Sequence, residues 1–408
     1  MKKIILVIAL LFIVFLATSF EELIVGRTEI ENLYPIILAG IDKNNKSETD
    51  NYLITSVSPT TEEDAEKPDV IMTIAGKTAF EANRLMGTYA ENDIYWGHTQ
   101  YILIGEEASK EDIFKYLDFF MRDNEPRITL TPIVIMGASS QEVITLLYEQ
   151  NINISQTVTN IIDNFGLTSY SSSMEFIEFI NLMAPSQDGY LPCLALKVED
   201  NELTIEHSTE KVQKGEFNEG NQGEDLDYVL HSPGYALIKD GKVIDHLVDE
   251  QGRGLSWIIN KIVSGVIVVE YEGVKYNLEI TKGNSEIKPE IKGNQLEVEI
   301  KVNAYTIITE MSQQNTAIDN ELINKLQSKL GEVVEKEVTE VIEIAQKHEI
   351  DILGIGDAVH HRYPVKWENE YKEKWEDLFP NVDIKVTVDP TIERSARFYE
   401  SILIKEDK

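Results

Sequence analysis

Apolar and polar positions along this chain repeat with two periods. Short apolar runs and alternation by two predict strands; recurrence at three and four predicts helices. Strands are predicted over 34–41, 51–57, 99–104, 130–136 and 191–198. Between them, 78–86, 110–121, 139–149 and 172–183 carry helical spacing. Thr78, with Glu81 three residues on, reads as a capping box at a helix start. The acidic stretch 58–68, with Pro59 and Pro68 at its ends, reads as a loop.

The second half has stronger punctuation. Asp240-Gly241 sits between the apolar runs 235–238 and 243–248, and Glu272-Gly273 between 263–271 and 274–280. Both read as hairpins. Residues 296–302 alternate strictly, as does 384–388. The longest predicted helix is 319–347, with Leu322, Leu326, Leu330, Val334, Val338, Val341 and Ala345 in one stripe. Its other face is Glu and Lys, with pairs such as Glu332–Lys336. That stripe is expected to pack on a sheet. Residues 199–227 are polar and acidic, with Gly215, Gly220 and Gly223, and read as a linker. The expected class is α+β: several mixed α/β domains with antiparallel-rich sheets packed by helices, after an N-terminal apolar helix. Expected domains are an anchor or signal at 1–21, a first domain at 22–199, a linker at 200–227, a β-rich middle domain at 228–285 and an α/β domain at 286–408.

The start of the chain changes the setting. Lys2 and Lys3 precede an uncharged run over 4–20, closed by Glu21 and Glu22. The run is near the lower limit for spanning a bilayer, about 17 residues, and its positive flank favours export of the residues after it. It is expected to stay as an anchor or to be cleaved as a secretory signal. The single cysteine is Cys193, so neither thioether lipidation just after the run nor an internal disulfide framework is available. Lys plus Arg is 37 against 71 Asp plus Glu, a net charge of −34. Such a surface repels nucleic acid and anionic headgroups. Membrane attachment must then come from the leader or from a protein partner.

Catalytic patterns start and break. His348-Glu349 opens a zinc-protease motif, but Ile352 stands where the second histidine belongs. Gly354-Ile355-Gly356 opens a dinucleotide fingerprint, but Val359 replaces its third glycine. Ser208 and Lys211 fit S-x-x-K inside the polar linker, without partner motifs. Asp42-Lys43-Asn44 lacks the glycine and glutamate of a calcium loop. No catalytic, cofactor-binding or metal residue is therefore expected. His98 is expected to be buried and bonded to backbone, His360-His361 to be a surface pair, and Cys193 a small core residue. Arg122-Asp123-Asn124-Glu125-Pro126-Arg127 places two arginines around an acidic turn. It reads either as an ion-pair and capping network or as a partner contact. Trp257, Trp367 and Trp375 read as core anchors or as interface hot spots.

Four blocks in order resemble the Ger(x)C family, the C subunit of spore nutrient germinant receptors. Gly26-Arg27-Thr28-Glu29-Ile30-Glu31-Asn32-Leu33 with Gly40-Ile41-Asp42-Lys43 is similar to the family's start. Tyr95-Trp96-Gly97-His98 and Leu117 through Arg127 resemble its central block. Gly234 through Lys242 with Arg253-Gly254-Leu255 resembles the middle one, and Asp351 through Gly356, Tyr363-Pro364, Trp367, Trp375 and Phe379 the last. The resemblance implies a lipoprotein on the outer face of the spore inner membrane, working beside two integral membrane subunits, A and B. In the family's register the acylated cysteine would fall near Ile24, where this chain has none. The apolar leader is expected to replace the lipid. The function expected is a non-enzymatic receptor subunit required for nutrient-triggered germination. An exported envelope hydrolase, a soluble binding protein and a pure scaffold are the rival readings. Arg122, Asp123, Arg127, Gly354, Gly356 and Trp367 are the expected partner contacts.

Overall fold

Two sheets organise the chain in the computed structural model, which describes residues 33–47, 49, 51–60, 69–198, 228–293, 295–313 and 318–393. The apolar leader, the S-x-x-K pattern and the whole acidic linker 199–227 lie outside the described residues. The larger sheet has eight strands. Four central strands are parallel: β2 (Leu38–Lys43), β6 (Tyr101–Ile104), β7 (Thr131–Met136) and β8 (Gly189–Val198). Antiparallel β3 (Tyr52–Pro59) and β4 (Asp69–Gly76) close one margin, and β9 (Tyr228–Lys239) and β10 (Lys242–Val248) the other. The first predicted strand divides in two. β1 (Leu33–Pro35) pairs with β5 (Asp93–Tyr95), and the chain changes partner at Ile36 and Ile37, whose amides reach the Tyr95 and Val57 carbonyls.

Both faces of this sheet are covered, which explains its near-continuous apolar strands. Ile102, Ile104 and Val134 face one core; Tyr101, Leu103, Ile133 and Ile135 face the other. The first core holds α1 (Ala79–Tyr89), α3 (Ile113–Arg122, after the short α2, Glu106–Ser109) and α6 (Phe176–Met183). The second holds α4 (Ser140–Glu149) and α5 (Ile154–Asp163).

Asp42 ties the sheet to the start of α4. Its buried carboxylate accepts from the Ser140 amide (2.8 Å), the Ser140 hydroxyl (2.7 Å) and the Gln141 amide (2.9 Å). Gly40 and Gly105 allow this approach, because a Cβ at either would run into Ser140 or Asp42. The family-like Gly40-Ile41-Asp42 block is thus a packing joint.

The smaller sheet runs in the order β11 (Val266–Tyr271), β12 (Val274–Lys292), β13 (Gln295–Met311), β14 (Asp383–Glu393). The hairpins read from Asp240-Gly241 and Glu272-Gly273 form as expected, with positive φ at all four residues. α8 (Asn320–His348), capped by Asp319, lays its apolar stripe on this sheet. Strands β9 and β10, from the segment expected to open a middle domain, complete the larger sheet. α7 (Glu250–Ile258) then carries the chain across to the smaller one. The hairpin β9–β10 also grips the end of α8. Lys239 Nζ donates to the His348 carbonyl (2.9 Å), and Asp245 Oδ2 lies 2.8 Å from His348 Nε2.

One buried polar knot joins these parts. Arg253 of α7 donates through Nε to Glu337 Oε2 of α8 (3.1 Å) and through Nη2 to Oε1. Trp257 Nε1 donates to the same carboxylate at 3.1 Å, and the guanidinium lies over the Tyr170 ring. Arg253 and Glu337 side chains are each 4% exposed. Gly254 is required here, because a Cβ would meet the Glu337 carbonyl of the facing helix.

Candidate partner-contact surfaces

The arginine turn follows α3. Arg122 projects into solvent at 79% exposure and, among the described residues, pairs only with Asp118 one turn back (2.8 Å). Asp123 ends the helix: its amide reaches the Phe119 carbonyl, and its Oδ1 accepts from the Glu125 amide at 3.0 Å. Glu125 in turn accepts from the Trp96 amide at 3.2 Å. Arg127 is exposed and makes no ion pair among the described residues. The two carboxylates therefore hold the turn, and the two arginines are left outward. Of the two readings offered for this cluster, capping belongs to Asp123 and Glu125 alone. Beneath the turn, Trp96 packs edge-on against Phe119 and Phe120 and donates its Nε1 to Asn83 (2.8 Å).

Gly354, Gly356 and Trp367 belong to a different construction, against the smaller sheet. Gly354, at φ +78°, starts α9 (Ile355–Arg362). Asp351 caps that helix, accepting from the Ile355 amide (3.0 Å), the Gly356 amide (2.6 Å) and Trp375 Nε1 (3.0 Å). Burial pushes the Asp351 carboxyl above the usual carboxylate range, against the pull of these donors. A Cβ on Gly356 would lie 2.9 Å from both Trp367 and Trp375. Trp367 stacks on His360 (5.8 Å) and meets the Trp375 ring at a tilt of 60° (5.1 Å). These residues do packing work: the glycine makes room for two indoles, while His360 and the neighbouring Val365 face outward.

Other expectations sort cleanly. His98 is exposed beside the Tyr95 ring (5.3 Å), not buried, because the chain turns at 96–99 before β6 begins. His360 and His361 are exposed on α9. Cys193 is buried, and burial pushes its thiol up to about 12, as fits a core residue. Trp257 is a full core anchor. The pair Glu332–Lys336 is replaced by Lys329–Glu332 and Lys336–Glu340. A cleft of about 610 Å³ opens at the carboxyl ends of β2, β6 and β7; of the three lysines that line it, Lys43 and Lys110 are paired with Glu111, Glu106 and Glu107, and Lys46 lies in the loop after β2. Among the described residues no group of three His, Cys, Asp or Glu is placed to hold a metal ion, and no helix is long and apolar enough to cross a membrane.

Comparison with known proteins bears on this architecture directly. Residues 26–196 match the model of the spore germination protein N-terminal domain, and residues 233–396 that of spore germination B3/GerAC-like proteins, C-terminal. The chain belongs to the Ger(x)C family. Spore germination protein KC of Bacillus subtilis (strain 168) is 24% identical, over 90% of this chain and 91% of its own. Spore germination protein B3 of the same organism is 23% identical, over 79% and 80%. The crystal structure of the GerBC protein shares the fold, with a TM-score of 0.51 and 16% identity, over 87% of this chain and 96% of that one. The Ger(x)C blocks named from sequence acquire roles in this fold. The first fixes Asp42, the second the Trp96 cluster, the third the Arg253–Glu337 knot and the last the Asp351 cap. Sequence reasoning missed Glu337 and Asp351. Glu337 carried a signal in its spacing, three residues after Val334 and four before Val341 of the apolar stripe. Asp351 carried a signal in its position four and five residues before the amides it caps.

Proposed function

We propose that this chain is a non-enzymatic subunit of a spore germinant receptor. Its apolar leader holds it on the outer face of the spore inner membrane, where its folded part docks on integral A and B subunits and relays nutrient binding to germination. The observation that carries this reading is the run of two spore-germination family models over 26–196 and 233–396, with KC and B3 aligned along most of their lengths. On a chain of net charge −34, two outward arginines with no fold-holding role suit recognition of a carboxylate or carbonyl on a partner.

Replacing both arginines by alanine tests the surface. Exposed ion pairs contribute little to stability, so the Arg122→Ala, Arg127→Ala protein is expected to melt as the parent does. Spores carrying it are expected to germinate at least about tenfold more slowly with nutrient, as loss of a hot spot implies. Normal germination with normal levels of every subunit would remove this surface from the account.

A further inference from the structure

Four strands end the two larger sheets, and three of them carry features that discourage another strand. β10 shifts register between Val243 and Asp245 and holds Lys242 and His246. β14 holds Asp383, Lys385, Asp389 and Pro390. β11 holds Glu270, and Arg253 Nη1 reaches its Val266 carbonyl at 3.5 Å. Charges, proline, bulges and occupied carbonyls are the usual protections of an open edge.

β4 has the fewest of them: one carbonyl, that of Val70, accepts from the Tyr34 hydroxyl at 3.0 Å. Its eight residues, Asp-Val-Ile-Met-Thr-Ile-Ala-Gly, hold no proline and one charge. That charge, Asp69, is turned inward, 2% exposed, and accepts from the Ile154 amide at the start of α5 (2.7 Å). Pairing with β3 runs without a register shift from Tyr52↔Gly76 to Pro59↔Asp69. Among the described residues no strand pairs with the other side of β4. Helices cover both of its faces, so the open part is the row of backbone groups between them, past the Val70 carbonyl.

A ridge of apolar side chains accompanies that edge. In α1, Phe80 touches Phe119 and Asn83 receives Trp96 Nε1, so this flank faces α3. The opposite flank, on the β4 side, carries Leu85 and Tyr89 one turn apart. They are 39% and 71% exposed, and Val70 at the start of β4 is 42% exposed.

We infer that the outer edge of β4 receives an extended segment of one of the receptor's membrane subunits as a ninth strand, with Leu85 and Tyr89 closing over it. This rests on the receptor reading above. An edge of unpaired N–H and C=O groups is matched by another extended backbone. The uncharged edge fits a segment of alternating apolar residues. A second copy is disfavoured, because each would bring −34 of the same sign.

Amide hydrogen exchange decides it, on the full chain alone and on the detergent-solubilised complex with its co-expressed membrane subunits. In the complex, amides of Asp69–Gly76 are expected to exchange at least about tenfold more slowly than in the chain alone. Val70→Lys and Tyr89→Lys, both at exposed positions, are expected to keep the parent's melting temperature and to lower recovery of the membrane subunits about tenfold. A complex that forms with unchanged exchange in β4 overturns strand addition and leaves the receptor reading standing. Protection in the isolated chain that grows with its concentration assigns the edge to a second copy, and protection abolished by deleting residues 1–32 assigns it to this chain's own start; either overturns the inference. Failure of the chain to bind any membrane subunit defeats the receptor reading and this inference with it.

Discussion

Arg253→Ala is expected to be among the most damaging single substitutions in the folded part, with a cost of about 3–5 kcal/mol. The alanine leaves the Glu337 carboxylate buried against Trp257 with its countercharge gone. A lone buried charge is far more costly than a paired one. Glu337→Ala should cost a similar amount, since it strands the guanidinium and the Trp257 N–H together. Arg253→Met with Glu337→Leu should recover part of either loss, because apolar replacement of a whole buried pair is often close to neutral. Urea unfolding of the three variants and the parent checks this. Single and double variants with equal midpoints would show that the pair contributes no coupling. The knot lies where α7 crosses from the larger sheet to α8, so loosening it should also be felt between the two parts of the molecule.

Asp351→Ala should cost about 2 kcal/mol, from one lost helix cap and one unpaired indole N–H. The carboxylate serves three donors at once, and water entering the site would satisfy only some of them. Because burial raises the folded-state pKa, the native protein binds this proton more tightly than the unfolded chain does. The contribution of Asp351 to stability is therefore greatest when it is protonated. It declines as pH rises from the unfolded carboxylate value, about 3.9, through the higher folded one. Asp351→Asn should flatten that part of the stability profile, while keeping one acceptor for the cap. Parallel slopes for parent and Asn variant, in urea midpoints taken from about pH 4 upward, would contradict the shift.

Much of the fold was legible from the chain. The hairpins at Asp240-Gly241 and Glu272-Gly273 were marked because a two-residue turn with positive φ has few acceptable sequences. The long helix was marked because its stripe, from Leu322 to Ala345, has no competing period. The elements that escaped were decided by tertiary contact. Glu250–Ile258 holds two glycines and reads as a poor helix, yet it forms one because Gly254 lets α7 touch the backbone of α8. Asp69–Gly76 follows an acidic loop and has no alternation, since both of its faces lie under helices. The division of 34–41 depends on a strand about sixty residues away, which no local pattern reports. Among the expected contact residues, Arg122 and Arg127 lie exposed around a helix end, whereas Asp123 caps it. Gly356 and Trp367 looked similar in sequence, and only the fold shows that they pack on each other.

The central claim is that this acidic chain acts by binding neighbours in a membrane. Affinity purification of the tagged full-length chain from detergent-solubilised spore membranes, with every co-purifying subunit quantified, tests it most directly. The account predicts recovery from the membrane fraction with both integral subunits in a fixed ratio. Recovery as a lone polypeptide from the soluble fraction, with those subunits present in the membrane but unbound, would contradict it.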